Sequence, residues 1–184
     1  MEKEKTFAQF RIYKLAENER IECFDCGDAD LNDFALNDAQ PYRKEKLAVT
    51  YTLLDKENNR SVAAFFCLLN DRISMADFET KTEYNRFRKR FVNAKRIKSY
   101  PAAKIGRFAV DKSMKGKNIG SFLLDFIKSY FVVDNKTGCR FLTVDAYADA
   151  VPFYLKNGFV PLNEDDKDDD TRLLYFDLND VSGE

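Results

Sequence analysis

The segment Val110–Phe126, VDKSMKGKNIGSFLLDF, places two of the seven glycines of this 184-residue chain among lysines, directly before a strongly amphipathic stretch. Apolar residues recur from Ile119 to Phe131 at steps of three and one, which predicts a helix. The preceding residues Lys104–Val110, KIGRFAV, predict a buried strand. A strand, a glycine-containing loop and a helix N-terminus together can bind phosphate, because the first N–H groups of the helix and the positive end of its dipole face the anion.

Two familiar phosphate-binding patterns do not match this segment. A Walker loop requires GxxxxGK[ST] and a dinucleotide fingerprint requires GxGxxG, and the letters from Lys112 to Ser121 fit neither. An ordinary tight turn between a strand and a helix is the alternative interpretation, since such turns are common. The composition of the loop alone leaves both interpretations open.

Length and composition predict one packed domain over residues 1–184, since 45% of the residues are apolar. Thirty basic and thirty-one acidic residues give a formal net charge of −1, so the overall charge favours neither a nucleic acid nor a membrane. The N-terminal residues lack the apolar core of a signal peptide, and the apolar run Val62–Leu69 is too short to span a bilayer. We therefore expect a cytoplasmic protein.

Four cysteines, Cys23, Cys26, Cys67 and Cys139, are then expected to be reduced thiols. Cys23 and Cys26 form a CxxC pair, but the chain has no histidine and no second CxxC to complete a zinc site. We therefore expect no metal. The lack of histidine also removes the usual general base, so another group must carry any proton transfer.

The rest of the chain predicts further strands and helices. Asp28 or Asp30 is expected to cap a helix that buries Leu31, Phe34 and Ala35 on one face. The other predicted elements are the strand Phe10–Leu15, the hairpin strands Leu47–Leu54 and Ser61–Leu69, the helix Asp77–Lys98, the strand Cys139–Asp145, the helix Ala148–Lys156, a strand start at 158–162 and the strand Arg172–Leu178. This order predicts an α/β fold with a mixed sheet.

Two motifs resemble those of the GNAT superfamily of N-acetyltransferases. The pattern [QR]-x-x-G-x-[GA] of its pyrophosphate loop falls on Lys115–Gly120, with Lys115 where Gln or Arg is usual and Asn118 where Gly is usual. Lysine keeps the charge but loses the bidentate geometry of arginine, and asparagine tolerates left-handed backbone. The second motif, A-x-x-F-Y-x-x-x-G-F, is similar to AVPFYLKNGF at Ala150–Phe159.

The resemblance implies a GNAT fold, a mixed, mostly antiparallel sheet that splays between its fourth and fifth strands and is flanked by helices. It also implies acetyl-CoA (coenzyme A) as co-substrate, with direct transfer of the acetyl group to a primary amine in a ternary complex. Tyr154 would be the general acid that protonates the CoA sulfur. The residues implied to hold the cofactor are Phe108, Ala109 and Val110 through main-chain pairing and Lys115, Gly116, Lys117, Asn118, Ile119, Gly120 and Ser121 around the diphosphate, with Lys112 as a further candidate cation.

The predicted strand Lys104–Val110 carries no carboxylate that could deprotonate the amine. Glu79 and Glu83 remain open as candidate bases. An amine that is already largely neutral is the other solution, and an α-amino group, with a pKa of about 8, meets that condition better than a lysine side chain at about 10.4. This favours α-amines as acceptors.

A narrower resemblance concerns GNAT toxins of bacterial toxin–antitoxin pairs, which acetylate the α-amine of charged tRNA. Their element CG-x-x-x-L-[ND]-x-[FW] falls on Cys26, Gly27, Leu31, Asn32 and Phe34. The basic stretch Arg86–Lys98 is either an RNA-binding patch or a solvated helix whose aromatic residues face the core. An acetyltransferase of unassigned amine, the toxin-type enzyme and a non-catalytic CoA-binding module all remain open. An antitoxin protein and a homodimer are the protein partners under consideration, and no membrane is expected.

Overall fold

The computed structural model describes residues 8–58, 61–92, 96–133, 137–164, 166–167 and 169–182. Within these ranges seven strands form one sheet. The strands are β1 Phe10–Lys14, β2 Val49–Asp55, β3 Ser61–Ser74, β4 Ser99–Val110, β5 Phe141–Tyr147, β6 Val160–Pro161 and β7 Thr171–Asp177. Their order is β1-β2-β3-β4-β5-β7-β6.

The helices lie between these strands in the chain. They are α1 Ala29–Asp33, α2 Ala39–Lys44, α3 Lys81–Arg88, α4 Ile119–Val132 and α5 Val151–Lys156, with a π-helical turn at Phe34–Asp38 and 3₁₀ turns at Met75–Asp77, Lys112–Met114 and Leu178–Ser182. Asp28 caps α1, since its side chain accepts a hydrogen bond from the Leu31 N–H at 2.9 Å. None of the helices in the described ranges has the length and hydropathy required to cross a bilayer.

The sheet is mixed, as predicted. β4 and β5 are parallel, whereas β2 pairs antiparallel with β1 and β3, and β7 pairs antiparallel with β5 and β6. The β4–β5 ladder joins Ala102–Lys104 to Phe141–Thr143. Among the described residues no pairing of Ile105–Val110 with β5 is found.

The chain divides into two compact units. The first contains the residues up to Leu69 together with Ile105–Leu123. Its core includes Phe24, Phe34 and Phe65, and the rings of Phe24 and Phe65 meet edge-to-face at 5.1 Å. Buried Arg43 donates hydrogen bonds to the carbonyls of Ala16, Glu19 and Ala39 and to the Thr50 hydroxyl, which satisfies a charged group that would otherwise be costly to bury.

The second unit contains Asn70–Lys104 and the residues from Leu124 onward, and its core is an aromatic cluster centred on Phe87. The Phe87 ring lies 5.3–5.9 Å from the rings of Phe78, Tyr100, Phe141 and Tyr175. Aromatic pairs at such distances add to the stabilisation that comes from area burial alone. This cluster fixes α3 against the strands of the second unit.

The predicted helix Asp77–Lys98 was too long. Thr80 and Glu83 form a capping box that starts α3 at Lys81, and α3 ends at Arg88. The N–H groups of Arg90 and Phe91 bond to carbonyls three residues back instead of four, which tightens and stops the helix. β4 then begins at Ser99, earlier than the predicted Lys104. Tyr84, Phe87 and Phe91 still face the core, as their spacing indicated.

Candidate active site

The loop between β4 and α4 contains two residues with left-handed backbone. Gly116 has a φ of +80° and Asn118 a φ of +59°. A Cβ atom at Gly116 would meet no described atom within 4 Å, so the backbone angle, not crowding, explains the glycine there. Asn118 adopts the conformation for which glycine is usual in the motif, as predicted from the tolerance of asparagine for this region.

This conformation leaves several N–H groups without a protein acceptor. In the part of the chain that the structure describes, the N–H groups of Gly116 and of 118–121 donate to no other residue. The first intrahelical bond runs from the Phe122 N–H to the Asn118 carbonyl at 3.2 Å. Open N–H groups at the positive end of a fourteen-residue helix suit an anion.

The loop is anchored on one side and exposed on the other. Met114 and Ile119 are buried, and Ile119 keeps 1% of its surface exposed. The residues between them, Lys115–Asn118, are exposed. The buried pair therefore fixes the loop on its core, while the intervening backbone faces solvent.

The three lysines of the loop differ in their contacts. The Lys112 ammonium forms an ion pair with Asp25, and this hydrogen bond raises the pKa of Lys112. The Lys117 Nζ lies 3.3 Å from the Met114 Sδ. The Lys115 Nζ lies 3.7 Å from the position that a Cβ atom of Gly27 would take. Lys115 and Lys117 are exposed and remain the better candidates for charge contacts to a phosphate, because Lys112 already has an acidic partner.

The end of β4 leads directly into this loop. Ala109 is buried, and its neighbours Phe108 and Val110 are half-buried. The Asp111 N–H donates to the Ala63 carbonyl on β3 at 2.9 Å. The ladder with β5 ends at Lys104, so Phe108, Ala109 and Val110 lie on the part of β4 that continues beyond it.

Tyr154 lies in the second unit, on α5, at the start of a Schellman motif. The Gly158 N–H bonds to the Leu155 carbonyl at 3.0 Å, and the Phe159 N–H bonds to the Tyr154 carbonyl at 3.1 Å. Gly158 has a φ of +83°, as this helix end requires. The rings of Tyr154 and Phe159 meet edge-to-face at 5.4 Å, which is the apolar contact that often accompanies the motif. The GF of the second sequence motif thus ends α5 and orients the Tyr154 ring.

The environment of Tyr154 keeps its phenol protonated. The residue is 5% exposed, and burial raises its pKa above the ordinary value of 10.0. A phenol with a raised pKa holds its proton across the physiological range. That is the protonation state that a general acid requires.

A partly buried lysine, Lys128, contacts the end of α5. The Lys128 Nζ donates to the Asn157 carbonyl at 2.7 Å and lies 4.4 Å from the centre of the Phe176 ring. Burial lowers the pKa of Lys128. A cation at a helix C-terminus stabilises the exposed carbonyls there. Sequence analysis missed this residue, because it lies on α4, far from α5 along the chain.

The carboxylates considered as bases have other roles or positions. The Glu83 carboxylate accepts hydrogen bonds from the Thr80 N–H at 3.0 Å and its hydroxyl at 2.9 Å, so it is committed to the start of α3. Glu79 is exposed. Two carboxylates that sequence analysis did not weigh are Asp71, which accepts from the Thr143 hydroxyl, and Asp145, whose carboxylate lies 2.6 Å from the Lys104 Nζ.

The basic stretch Arg86–Lys98 combines a buried and an exposed side. Phe87 is buried in the aromatic cluster, while Arg86, Lys89, Arg90, Arg96 and Lys98 are exposed. The Arg90 guanidinium also lies 4.7 Å from the centre of the Phe87 ring and donates to the Tyr175 hydroxyl. Lys95 lies outside the described residues. The aromatic residues therefore serve the core, while these cations are exposed.

The CxxC pair is split between two environments. Cys23 is exposed, Cys26 is buried, and both are free thiols, as are Cys67 and Cys139. Across the described ranges, no cluster of three or more cysteine, aspartate or glutamate side chains could hold a metal ion.

Comparison with known proteins decides the family. A family model described as an acetyltransferase (GNAT) domain matches residues 70–177, more than half of the chain. The chain belongs to the GNAT acetyltransferase family. Both the A-x-x-F-Y-x-x-x-G-F element and the loop of Lys115–Gly120 lie within the matched range.

Solved structures share the GNAT fold over nearly the whole chain. A tyrosine-to-phenylalanine mutant of KacT superposes with a TM-score of 0.75 and 22% identity, covering 95% of this chain and 98% of that one. AtaT complexed with acetyl-methionyl-tRNAfMet gives 0.70 and 23%, with 94% and 97% covered. A mutant AtaT toxin bound to the C-terminus of the antitoxin AtaR and acetyl-CoA gives 0.67 and 22%, with 95% and 96% covered.

Proposed function

We propose that this chain is an acetyl-CoA-dependent N-acetyltransferase that moves the acetyl group directly to a primary amine within a ternary complex. The observation that carries the proposal is the set of open N–H groups at Gly116 and 118–121, at the start of α4. Such groups match the diphosphate of coenzyme A in charge and hydrogen-bonding type. Membership of the GNAT family supports the same assignment, and the proposal takes residues 1–184 as one acetyltransferase domain.

Each part of the cofactor has a candidate partner in the chain. Lys115, Gly116, Lys117, Asn118, Ile119, Gly120 and Ser121 would hold the diphosphate through main-chain N–H groups and lysine charge. The main chain of Phe108, Ala109 and Val110 would pair with the pantetheine amides by strand addition. Acetyl-CoA supplies the activated thioester carbonyl that the amine attacks.

Tyr154 would act as the general acid. Transfer requires a proton for the departing CoA sulfur, and a phenol that stays protonated can supply it. Burial keeps Tyr154 in that state. The position of the ring is fixed by Phe159, so a phenylalanine at 154 would keep the packing and lose only the hydroxyl.

The acceptor would be an α-amine. The engagement of Glu83 in a capping box removes one of the two candidate bases, which supports an acceptor that is substantially neutral before it binds. An α-amino group meets this condition at neutral pH, whereas a lysine side chain remains protonated.

Among α-amines we favour that of aminoacyl-tRNA. The exposed cations of the stretch Arg86–Lys98, including Arg86, Lys89 and Arg96, could contact phosphates without rearrangement of the buried aromatic residues. The fold neighbour AtaT was solved with acetyl-methionyl-tRNAfMet, and another AtaT structure includes an antitoxin. An antitoxin partner and a homodimer follow as further proposals for this chain.

Expression in bacteria tests this function. Wild type should arrest growth, whereas Tyr154→Phe should permit it, and mass spectrometry of extracted tRNA should find acetylated aminoacyl ends only with wild type. Growth arrest without tRNA acetylation would exclude aminoacyl-tRNA as substrate. Binding of acetyl-CoA with no transfer to any amine would instead identify the chain as a non-catalytic CoA-binding module.

A further inference from the structure

The segment around the CG-x-x-x-L-[ND]-x-F motif has no role yet in binding or catalysis. It lies in the first unit, together with the loop before α4. Its contacts centre on Asp25, the residue directly before Cys26, which the motif itself does not include.

Asp25 organises its own segment through one carboxylate oxygen. The Oδ1 atom accepts hydrogen bonds from the Gly27 N–H at 2.9 Å and from the Asn32 Nδ2 at 3.0 Å. Asn32 in turn accepts from the Cys26 N–H at 2.9 Å through its Oδ1. The asparagine of the motif therefore closes the turn on which Asp25 sits, and it orients the carboxylate.

The rest of Asp25 contacts the start of the phosphate-binding loop. Its Oδ2 pairs with the Lys112 ammonium, and its carbonyl accepts from the Lys112 N–H at 2.8 Å. Its own N–H donates to the Asp111 Oδ2 at 3.2 Å. The other Asp111 oxygen caps the 3₁₀ turn Lys112–Met114 by accepting from the Ser113 N–H at 2.9 Å. Asp25 thus touches both residues that begin the loop.

Two further observations connect this segment to the loop. Gly27 has a φ of +86°, and the Lys115 Nζ lies 3.7 Å from the position that a Cβ atom of Gly27 would take, so Lys115 reaches this turn. The hydrogen bond from Lys112, aided by those from Asn32 and the Gly27 N–H, lowers the pKa of Asp25 to about 2. The carboxylate is therefore ionised at any physiological pH, so its ion pair with Lys112 persists. The contacts of Asp25 with Asp111 and Lys112 are called the Asp25 clip below.

We propose that Asp25 is a positioning residue that holds the loop Asp111–Ser121 in the conformation that binds the diphosphate of coenzyme A. The motif around Cys26 and Asn32 supports Asp25 in this role, through a network that joins residues more than eighty positions apart. The proposal rests on the proposed function, because it assigns Asp25 to the same cofactor loop.

Calorimetry with two ligands tests this role. Acetyl-CoA carries the diphosphate, whereas acetyl-pantetheine has the same thioester and amides without it, and its weaker affinity is measured by displacement of acetyl-CoA. The ratio of the dissociation constant of acetyl-pantetheine to that of acetyl-CoA reports the contribution of the 3′-phospho-ADP part, which includes the diphosphate. In Asp25→Asn we expect acetyl-CoA to lose affinity roughly tenfold and the ratio to shrink by the same factor.

A matched control and a second variant complete the design. Asp38→Asn removes the same charge from an exposed position four residues after the motif and should keep the wild-type ratio. Asn32→Ala removes the group that orients Asp25 and should shift the ratio in the same direction as Asp25→Asn. Circular dichroism confirms that each variant is folded, and Asn32→Ala serves as the test if Asp25→Asn is not.

The outcomes separate the two proposals. A folded wild-type protein that binds neither ligand would overturn the proposed function. Normal binding by wild type, with a ratio unchanged in both Asp25→Asn and Asn32→Ala, would overturn the positioning role and leave the proposed function intact. Equal weakening of both ligands would also contradict it, since that is the result of general structural damage.

Discussion

Asn118 shows how a single residue sets the conformation of the loop. Its φ of +59° is a region that branched side chains avoid and that asparagine tolerates. This conformation directs the N–H groups before α4 away from any described protein acceptor. The departure from the usual glycine is therefore compatible with the loop.

Replacing Asn118 tests the importance of this backbone angle. Asn118→Val should destabilise the protein by about 1–2 kcal/mol and weaken acetyl-CoA binding, because valine disfavours left-handed backbone. Asn118→Gly is the matched control and should preserve both. Urea unfolding and calorimetry provide the two measurements. Equal stability and affinity in the valine and glycine variants would show that the angle is unimportant.

Tyr154 combines a structural and a proposed chemical role. Tyr154→Phe keeps the ring contact with Phe159, so thermal stability and acetyl-CoA affinity should stay close to wild type. Loss of the hydroxyl should lower kcat roughly 10²–10⁴-fold, the usual contribution of a general acid. Steady-state kinetics with the accepted amine checks the rate. A wild-type kcat in this variant would remove Tyr154 from the mechanism.

At the scale of elements, local signals decided which boundaries the sequence could predict. The structure confirms three local predictions: the start of α4, the hairpin of β2 and β3, and a helix cap at Asp28, one of the two candidates Asp28 and Asp30. Each depends on side chains close in the chain. The end of α3 did not follow, because the helical spacing of Tyr84, Phe87 and Phe91 serves core packing beyond the last helical turn. The contacts of Asp25 with Lys112 and of Lys128 with Asn157 join distant segments, and no local pattern indicates them.

The Schellman motif at the end of α5 requires glycine at position 158, and replacing Gly158 tests this requirement. Gly158→Ala would place a Cβ atom 3.2 Å from the Phe176 Cε2 in addition to forcing alanine into left-handed backbone. We expect a loss of about 1–2 kcal/mol in the free energy of unfolding from the backbone alone. Gly138→Ala is the control, because a Cβ atom there meets no described atom within 4 Å. Equal stability of the two variants in urea would contradict this account of the helix end.

At the scale of the whole molecule, the residues assigned to the proposed function are divided between the two compact units. The first contains the loop before α4 and its Asp25 clip, and the second contains Tyr154 and its Schellman motif. The GNAT family match begins at residue 70, so most of the first unit lies outside it. In the proposed role, the contacts of Asp25 would therefore be this chain's own support for the proposed cofactor loop.

Stability as a function of pH reports on the clip. The pKa of Asp25 is lowered from 3.8 to about 2, so its ionised form stabilises the fold above pH 3.8 and this contribution is lost as the pH falls from 3.8 towards 2. Between neutral pH and this acid range, wild type should therefore lose more of its free energy of unfolding than Asp25→Asn loses. Acid titrations followed by circular dichroism measure the difference. Lys112→Met should reduce it, because Lys112 is the main cause of the lowered pKa.

The most direct test of the account is a titration of ¹⁵N-labelled protein with acetyl-CoA, followed through the amide resonances of the loop. If main-chain N–H groups bind the diphosphate, the amides of Gly116, Ile119, Gly120 and Ser121 should shift strongly with acetyl-CoA and far less with acetyl-pantetheine. Saturating acetyl-CoA that leaves these amides unchanged would contradict the central claim that this loop binds the cofactor.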